Sequence, residues 1–112
     1  MSKPHWVELE EEIRDVMGLN AKLTKGSGNQ KGDCDVKMRY NDINILFEAK
    51  SEEIPKGNLR VLQNEWDKMQ NQVKAFYGVG IYVRRNKKGE VVACLKIEDL
   101  KRIMNENLPH LH

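Results

Sequence analysis

Residues 33–51 hold the pattern that most restricts the fold, two strand-like runs joined by a short turn. Apolar and polar residues alternate from Asp33 to Tyr40, and a second β-rich run follows from Ile43 to Ser51. Between them, Asn41-Asp42 suits a two-residue hairpin turn because both residues tolerate positive φ. The pattern therefore predicts an antiparallel hairpin with a defined register.

This register predicts which polar side chains meet. If only the two turn residues are unpaired, Asp35 faces Glu48 and Asp33 faces Lys50. Directly opposed side chains place their Cβ atoms roughly 4.5–5.5 Å apart. Opposed carboxylates repel one another unless a proton or a cation lies between them. The hairpin therefore predicts a site for a divalent cation.

The remaining elements follow from periodicity and from turn residues. Apolar residues recur at three- and four-residue steps in amphipathic helices, and period-two or continuous apolar runs indicate strands. The helices are predicted at residues 5–17, 59–76 and 98–107. The strands are predicted at residues 20–24, 33–40, 43–51, 79–83 and 91–97. We expect one α/β domain over residues 1–112, with an αβββαβ core and a mixed central sheet, then an extra strand and a C-terminal helix.

Composition and charge exclude several classes of protein. Charged residues make up 32% and apolar residues 39% of the chain, without an apolar stretch long enough to cross a bilayer. No signal-peptide pattern opens the sequence, so we expect a cytoplasmic protein. The histidines lie at His5, His110 and His112, near the ends, where backbone is rarely held still, which argues against histidine-based catalysis. The formal net charge of +2 is compatible with a polyanionic partner and does not require one.

The polar face of the hairpin suits hydrolysis of a phosphodiester bond. Mg²⁺ prefers oxygen ligands and is often held by one or two carboxylates. Lys50 follows Glu48 by two residues and so shares its face, where an ammonium group offsets charge that grows in the transition state. We expect an electrostatic, water-positioning role for Lys50 rather than that of a general base. An isolated Glu-x-Lys pair is otherwise typical of a solvated strand surface.

Three segments resemble the PD-(D/E)XK nuclease superfamily: GSGNQKGDCDV, ILFEAKS and LQNEWDKMQNQVKAFYGVGIYV. Within it, the chain looks like the small phage and archaeal Holliday-junction resolvases and the VRR-type nuclease domains. The resemblance implies a restriction-endonuclease-like core and a Mg²⁺-dependent DNA endonuclease, phage-encoded or prokaryotic, in which Mn²⁺ substitutes for Mg²⁺. It also implies branched DNA as the substrate, in recombination or repair. Two symmetric cuts in a junction would require a C2 homodimer.

The resemblance implies roles for single residues of the hairpin. Glu48 and Lys50 match the E-x-K of the superfamily, and Ala49 would lend its carbonyl oxygen to the metal. The first acid stays open between two aspartates. Asp35 takes the place of the aspartate in the P-D pair, although this chain lacks the proline, whereas Asp33 fits a K-G-D variant. The register favours Asp35.

Residues outside the hairpin are assigned by the same resemblance. Gln63 matches a helix glutamine that supports the lysine or the scissile phosphate, with an exposed glutamine as the alternative. Glu8 or Glu12 matches a first-helix glutamate, with a solvated acidic face as the alternative. The loop expected to contact the DNA backbone comprises Ser27, Gly28 and Asn29, flanked by Lys25 and Lys31.

Two other functions remain open from the sequence. The same residues would serve a general nicking, repair or restriction-type nuclease. A non-catalytic nucleic-acid-binding module on the same fold is the second alternative, although a pure binder gains nothing from opposed carboxylates.

Overall fold

The structure is a computed structural model that describes residues 5–18, 21–23, 35–51 and 57–107. Within these residues the helices are α1 (His5–Met17), α2 (Gln63–Lys74) and α3 (Ile97–Asn107). The strands are β1 (Lys22–Leu23), β2 (Asp35–Tyr40), β3 (Ile43–Lys50), β4 (Val79–Arg85) and β5 (Val91–Cys94). They form one sheet in the order β1-β2-β3-β4-β5, antiparallel except between β3 and β4. The chain is thus a single α/β domain with a mixed sheet, as expected from the sequence.

The β2–β3 hairpin has the predicted register. Asp35 pairs with Glu48 and Tyr40 pairs with Ile43. The turn residues Asn41 and Asp42 take φ values of 47° and 68°, the left-handed region that this tight turn requires. Local turn chemistry and a period of two therefore determine this part of the fold.

The sheet separates two apolar layers. On one face, Leu9 and Ile13 of α1 pack in a cluster that includes Val36, Phe47 and Ile81. On the other face, Met69 and Val73 of α2 pack against Leu46 and Tyr82, with Trp66 at the margin. Because side chains alternate along a strand, Glu48 and Lys50 share a side with Leu46 and face the α2 layer.

Helix α2 is shorter than the predicted helix over 59–76. The segment before Gln63 is not helical, and the Arg84 guanidinium donates to the carbonyl oxygen of Arg60 at 3.3 Å. Leu59 remains 48% exposed, so burial does not favour helix there. At the other end, Tyr77 takes a φ of 54° and Gly78 N–H donates to the Val73 carbonyl, which ends the helix.

Several further boundaries differ from the prediction, among them the end of β4 at Arg85 rather than at residue 83 and that of β3 at Lys50 rather than at residue 51. Strand β5 ends at Cys94 rather than at residue 97, and α3 begins at Ile97, one residue earlier than predicted. Ile97 is 74% exposed, so the apolar run that suggested a longer strand is not buried in the sheet. Of the strand predicted over 20–24, the described residues include Lys22–Leu23 as a strand, and residues 20 and 24 lie outside the described ranges. None of the helices in the described ranges is both long enough and apolar enough to span a membrane.

Candidate active site

The Lys50 ammonium lies between two carboxylates on the α2 side of the sheet. Its Nζ is 3.3 Å from Glu48 Oε1 and 3.8 Å from Glu65 Oε2. The Lys50 and Glu48 side chains are only 15% and 5% exposed, so water screens this pair weakly. Removing one partner of such a buried pair leaves an uncompensated charge. The sequence predicted Glu48 and Lys50 as neighbours, and the structure brings them together.

Tyr82 joins this cluster from the adjacent parallel strand. It pairs with Glu48 in the β3–β4 register, and its side chain is 1% exposed. The Tyr82 hydroxyl donates a hydrogen bond to Glu65 Oε1. Burial, and then the Glu65 carboxylate, raise the pKa of Tyr82 to about 12, so the phenol stays neutral and a donor at ordinary pH. Tyr82 therefore holds Glu65 while Glu65 reaches Lys50.

Strand alternation and helix placement explain why these groups converge. Lys50 pairs with Arg84 as Glu48 pairs with Tyr82, so both strands present polar groups at their carboxyl ends on the same face. Glu65 lies in the first turn of α2, which begins above these strand ends. We define the site cluster as Glu48, Lys50, Glu65 and Tyr82.

Sequence reasoning missed two members of the site cluster. Glu65 lies within the quoted segment LQNEW, but that reasoning assigned Gln63 to support the lysine. The Gln63 amide is exposed and donates to Asp67 at 2.8 Å, whereas Glu65 comes within ion-pair distance of Lys50. Tyr82 sits in an apolar run, which indicated a buried strand and gave no sign of a polar contact.

The metal assignment rests on the donors beside Lys50. The backbone of Asp35 lies opposite Glu48, and the Asp35 side chain is outside what the structure describes. Among the described residues, no three His, Cys, Asp or Glu side chains are grouped closely enough to hold a metal ion. The carboxylate of Glu48, an aspartate opposite it and the carbonyl of Ala49 are nevertheless oxygen donors, the kind that Mg²⁺ takes together with water and phosphate. The donor set fits Mg²⁺ in its chemistry.

Several predicted residues lie outside the described part of the chain. They are Asp33 and the proposed DNA-contacting residues Lys25, Ser27, Gly28, Asn29 and Lys31. Their roles stay predictions.

Glu8 and Glu12, the predicted glutamates of α1, lie on the face of the sheet opposite to the site cluster. Glu12 accepts from Arg85, with Nη2 at 3.2 Å from Oε1, and exposed Glu8 lines an acidic depression with it along α1. Since α1 packs on the face opposite to Glu48, the structure does not bring Glu8 or Glu12 to Lys50.

Another acid of α1 stands out. Glu10 is 5% exposed, and its Oε2 atom is buried without a hydrogen-bond partner among the residues that the structure describes. Burial, and then the neighbouring Glu11 carboxylate, raise the pKa of Glu10 to about 7. Helical periodicity did not reveal this residue, because it falls within a run of glutamates that the pattern assigned to the solvated face.

His5 was excluded as a catalytic residue because it lies near the end of the sequence. In the structure it contacts Ser51. Its Nδ1 lies 2.7 Å from Ser51 Oγ, and the ring meets Trp6 edge-on. This contact ties the start of α1 to the end of β3, one residue beyond Lys50.

Comparison with known protein families, with curated proteins and with solved structures found no match to this chain.

Proposed function

We propose that this protein is a metal-dependent DNA endonuclease with the site of the PD-(D/E)XK type. The observation that carries the proposal is the Lys50 ammonium held 3.3 Å from the Glu48 carboxylate, on strands whose register puts Asp35 opposite Glu48. The element order αβββαβ, with β3 and β4 parallel, supports a restriction-endonuclease-like arrangement. Branched DNA as the substrate, and a homodimer that makes paired cuts, belong to the same proposal and rest on the resemblance.

In this mechanism the protein's own groups position and neutralise charge. Glu48 and Asp35, with the Ala49 carbonyl, would hold Mg²⁺ or Mn²⁺, and the ion would supply polarisation of the phosphoryl oxygen and activation of the attacking water. Lys50 offsets negative charge on the phosphate as the bond to the attacking oxygen forms and the bond to the leaving oxygen breaks. Glu48 and Glu65 restrain the ammonium from two sides, and Tyr82 restrains Glu65. This support keeps Lys50 in place before substrate binds.

One observation favours a second candidate, a non-catalytic nucleic-acid-binding module. Lys50 already forms ion pairs with Glu48 and Glu65 in the structure, so the buried Glu48 carboxylate has a countercharge without a metal ion. A structural ion-pair network would look the same. The two candidates differ in whether the protein cuts DNA.

The first experiment asks whether the protein cuts. Supercoiled plasmid and a four-way junction are incubated with the protein in Mg²⁺, Mn²⁺ or EDTA. We expect metal-dependent cutting, with preference for the junction if branched DNA is the substrate. Binding without cutting in either metal would establish the second candidate, and equal nicking of both substrates would indicate a general nuclease.

The second experiment tests the role of Lys50. Lys50→Ala is expected to reduce cutting by roughly 100-fold or more while DNA binding changes little. It also leaves Glu48 buried without its partner, at a cost on the order of 3–5 kcal/mol, so unfolding is measured in parallel. Lys50→Arg keeps the charge but not the compact ammonium, and should lose cutting while staying folded. Exposed Lys74→Ala is the control.

The third experiment tests the metal ligand. Glu48→Gln keeps the shape of the side chain and removes its charge, so calorimetry should show weaker Mg²⁺ binding than in the wild type. Undiminished affinity would exclude Glu48 as a ligand. Cutting by both Lys50 variants at the wild-type rate would refute the proposed mechanism.

A further inference from the structure

Helix α3 carries an apolar stripe that the described part of the chain leaves uncovered. We define the α3 stripe as Ile97, Leu100 and Met104, whose side chains are 74%, 38% and 58% exposed. Spacings of three and four residues place them on one side of the helix. Ile103 points elsewhere and packs against the core under α1. The helix is therefore attached through one side while a second apolar side faces water.

The charges beside the α3 stripe restrict what can cover it. Glu98 and Lys101 are exposed, and on a helical projection both lie along the same flank of the stripe. In an antiparallel pair of identical helices related by a twofold axis, equivalent flanks face each other. The acidic residue near the start of one helix then meets the basic residue further along the other. In a parallel pair the twofold axis would instead place this flank of one helix beside the opposite flank of the other, so Glu98 and Lys101 would not meet.

We propose that the α3 stripe binds a second copy of this chain, with the two α3 helices antiparallel across a twofold axis. In this arrangement Ile97 packs against Met104 of the partner subunit, and Leu100 packs against its own equivalent on the axis. Glu98 and Lys101 form two equivalent interchain ion pairs at the flank. The α3 stripe and its charged flank are thus self-complementary, as a closed dimer interface requires.

This inference rests on the homodimer of the proposed function and gives it an interface, which the surface of α3 and not the site cluster carries. If the protein does cut DNA, the dimer deepens that proposal by providing the twofold pair of sites that symmetric cuts require. Oligomeric state and cutting are measured separately, so either proposal can fail without the other.

Sedimentation equilibrium of the full chain over a wide concentration range tests the interface. We expect a monomer–dimer equilibrium for the wild type and a dissociation constant roughly 100-fold higher for Leu100→Glu. Tyr77→Glu, at a side chain 83% exposed outside the stripe, is the control and should dimerise as the wild type does. A strictly monomeric wild type, or unimpaired dimerisation of Leu100→Glu, would overturn the proposal. Circular dichroism checks that each variant is folded.

A mixing experiment tests the antiparallel arrangement. Glu98→Lys and Lys101→Glu each place like charges across the interface in their own homodimer, so each alone should dimerise roughly tenfold more weakly. When the two variants are mixed, both interchain pairs become attractive again. Native mass spectrometry should then show the heterodimer in excess over both homodimers. A statistical mixture would refute the antiparallel pairing, and changes within one helix cannot produce a heterodimer preference.

Discussion

At the residue scale, the surroundings of Glu10 disfavour the ionised form of its buried carboxyl group. Its pKa is about 7 in the folded protein, above the ordinary value of 4.5. A raised folded pKa means that the contribution of this group to stability is complete below about pH 4.5. The contribution is lost as the pH rises through about 7, because the folded protein must then release a proton that burial favours.

Glu10→Gln should therefore stabilise the protein at pH 8 by on the order of 1–3 kcal/mol, and much less at pH 5, since glutamine keeps the shape without the charge. Urea unfolding at both pH values measures the difference. Exposed Glu8→Gln, on the same helix, is the control and should change stability little at either pH. Equal effects of Glu10→Gln at the two pH values would show that the carboxyl group is not strained by its charge.

Tyr82 gives a second residue-scale prediction, in the alkaline range. Its folded pKa of about 12 lies above the ordinary value of 10.0, so its stabilising contribution is complete below pH 10 and is lost as the pH rises through 12. Tyr82→Phe removes the donor to Glu65 and should cost about 1–2 kcal/mol at pH 8. The loss of stability from pH 10 upward should also become shallower in this variant.

Denaturant unfolding from pH 8 to pH 11 checks both effects of Tyr82→Phe. Tyr77→Phe changes an exposed tyrosine and serves as the control. A Tyr82→Phe protein as stable as the wild type at pH 8 would mean that the hydrogen bond to Glu65 contributes nothing to the cluster.

At the element scale, what could be predicted from the sequence is what local chemistry determines. The β2–β3 register follows from a period of two and a two-residue turn, so the pairing of Asp35 with Glu48 was predicted correctly. Helix α1 was also predicted with its observed ends, from periodicity and a following glycine. These features require no knowledge of distant residues.

The parts that failed depend on tertiary packing. The non-helical segment before α2 accepts a hydrogen bond from the Arg84 guanidinium at the Arg60 carbonyl oxygen, a contact between residues 24 positions apart in the sequence. The rotation of α2 about its axis decides which of its residues contacts Lys50. In the structure Glu65 contacts Lys50, whereas Gln63 contacts Asp67. Apolar periodicity predicts which side of a helix is buried. It does not predict which polar residue next to that side contacts Lys50 at the end of β3.

The end of α2 gives the element-scale prediction. Tyr77 has a φ of 54°, a left-handed conformation that is unfavourable for a residue with a Cβ atom. Its side chain is 83% exposed, so little buried surface offsets this strain. Tyr77→Gly should raise the free energy of unfolding by about 0.5–1 kcal/mol. Tyr77→Ala, which keeps the Cβ atom, should show no such gain. Thermal and urea unfolding compare the two variants, and equal stability of both would show that the helix end is unstrained.

At the scale of the whole molecule, a basic strip borders the site cluster. Lys22 of β1 pairs in register with Lys37 of β2, and Arg39 lies two residues further along the same strand. All three side chains are exposed. Lys37 is paired with Leu46, which places the strip on the face that also presents Glu48 and Lys50. The formal net charge is only +2, so this placement of cations matters more than their total for a polyanionic partner.

The proposed function predicts that this strip contacts DNA phosphates and releases counterions on binding. Each cation that neutralises one phosphate adds about 0.9 to the slope of log affinity against log salt. Lys37→Ala and Arg39→Ala should each lower that slope by about 1 and the double variant by about 2, measured in EDTA so that no cutting occurs. Exposed Lys96→Ala, outside the strip, should leave the slope unchanged. An unchanged slope in the double variant would place the DNA on another face of the molecule, and Glu48 and Lys50 would then be a structural ion pair rather than a cutting site.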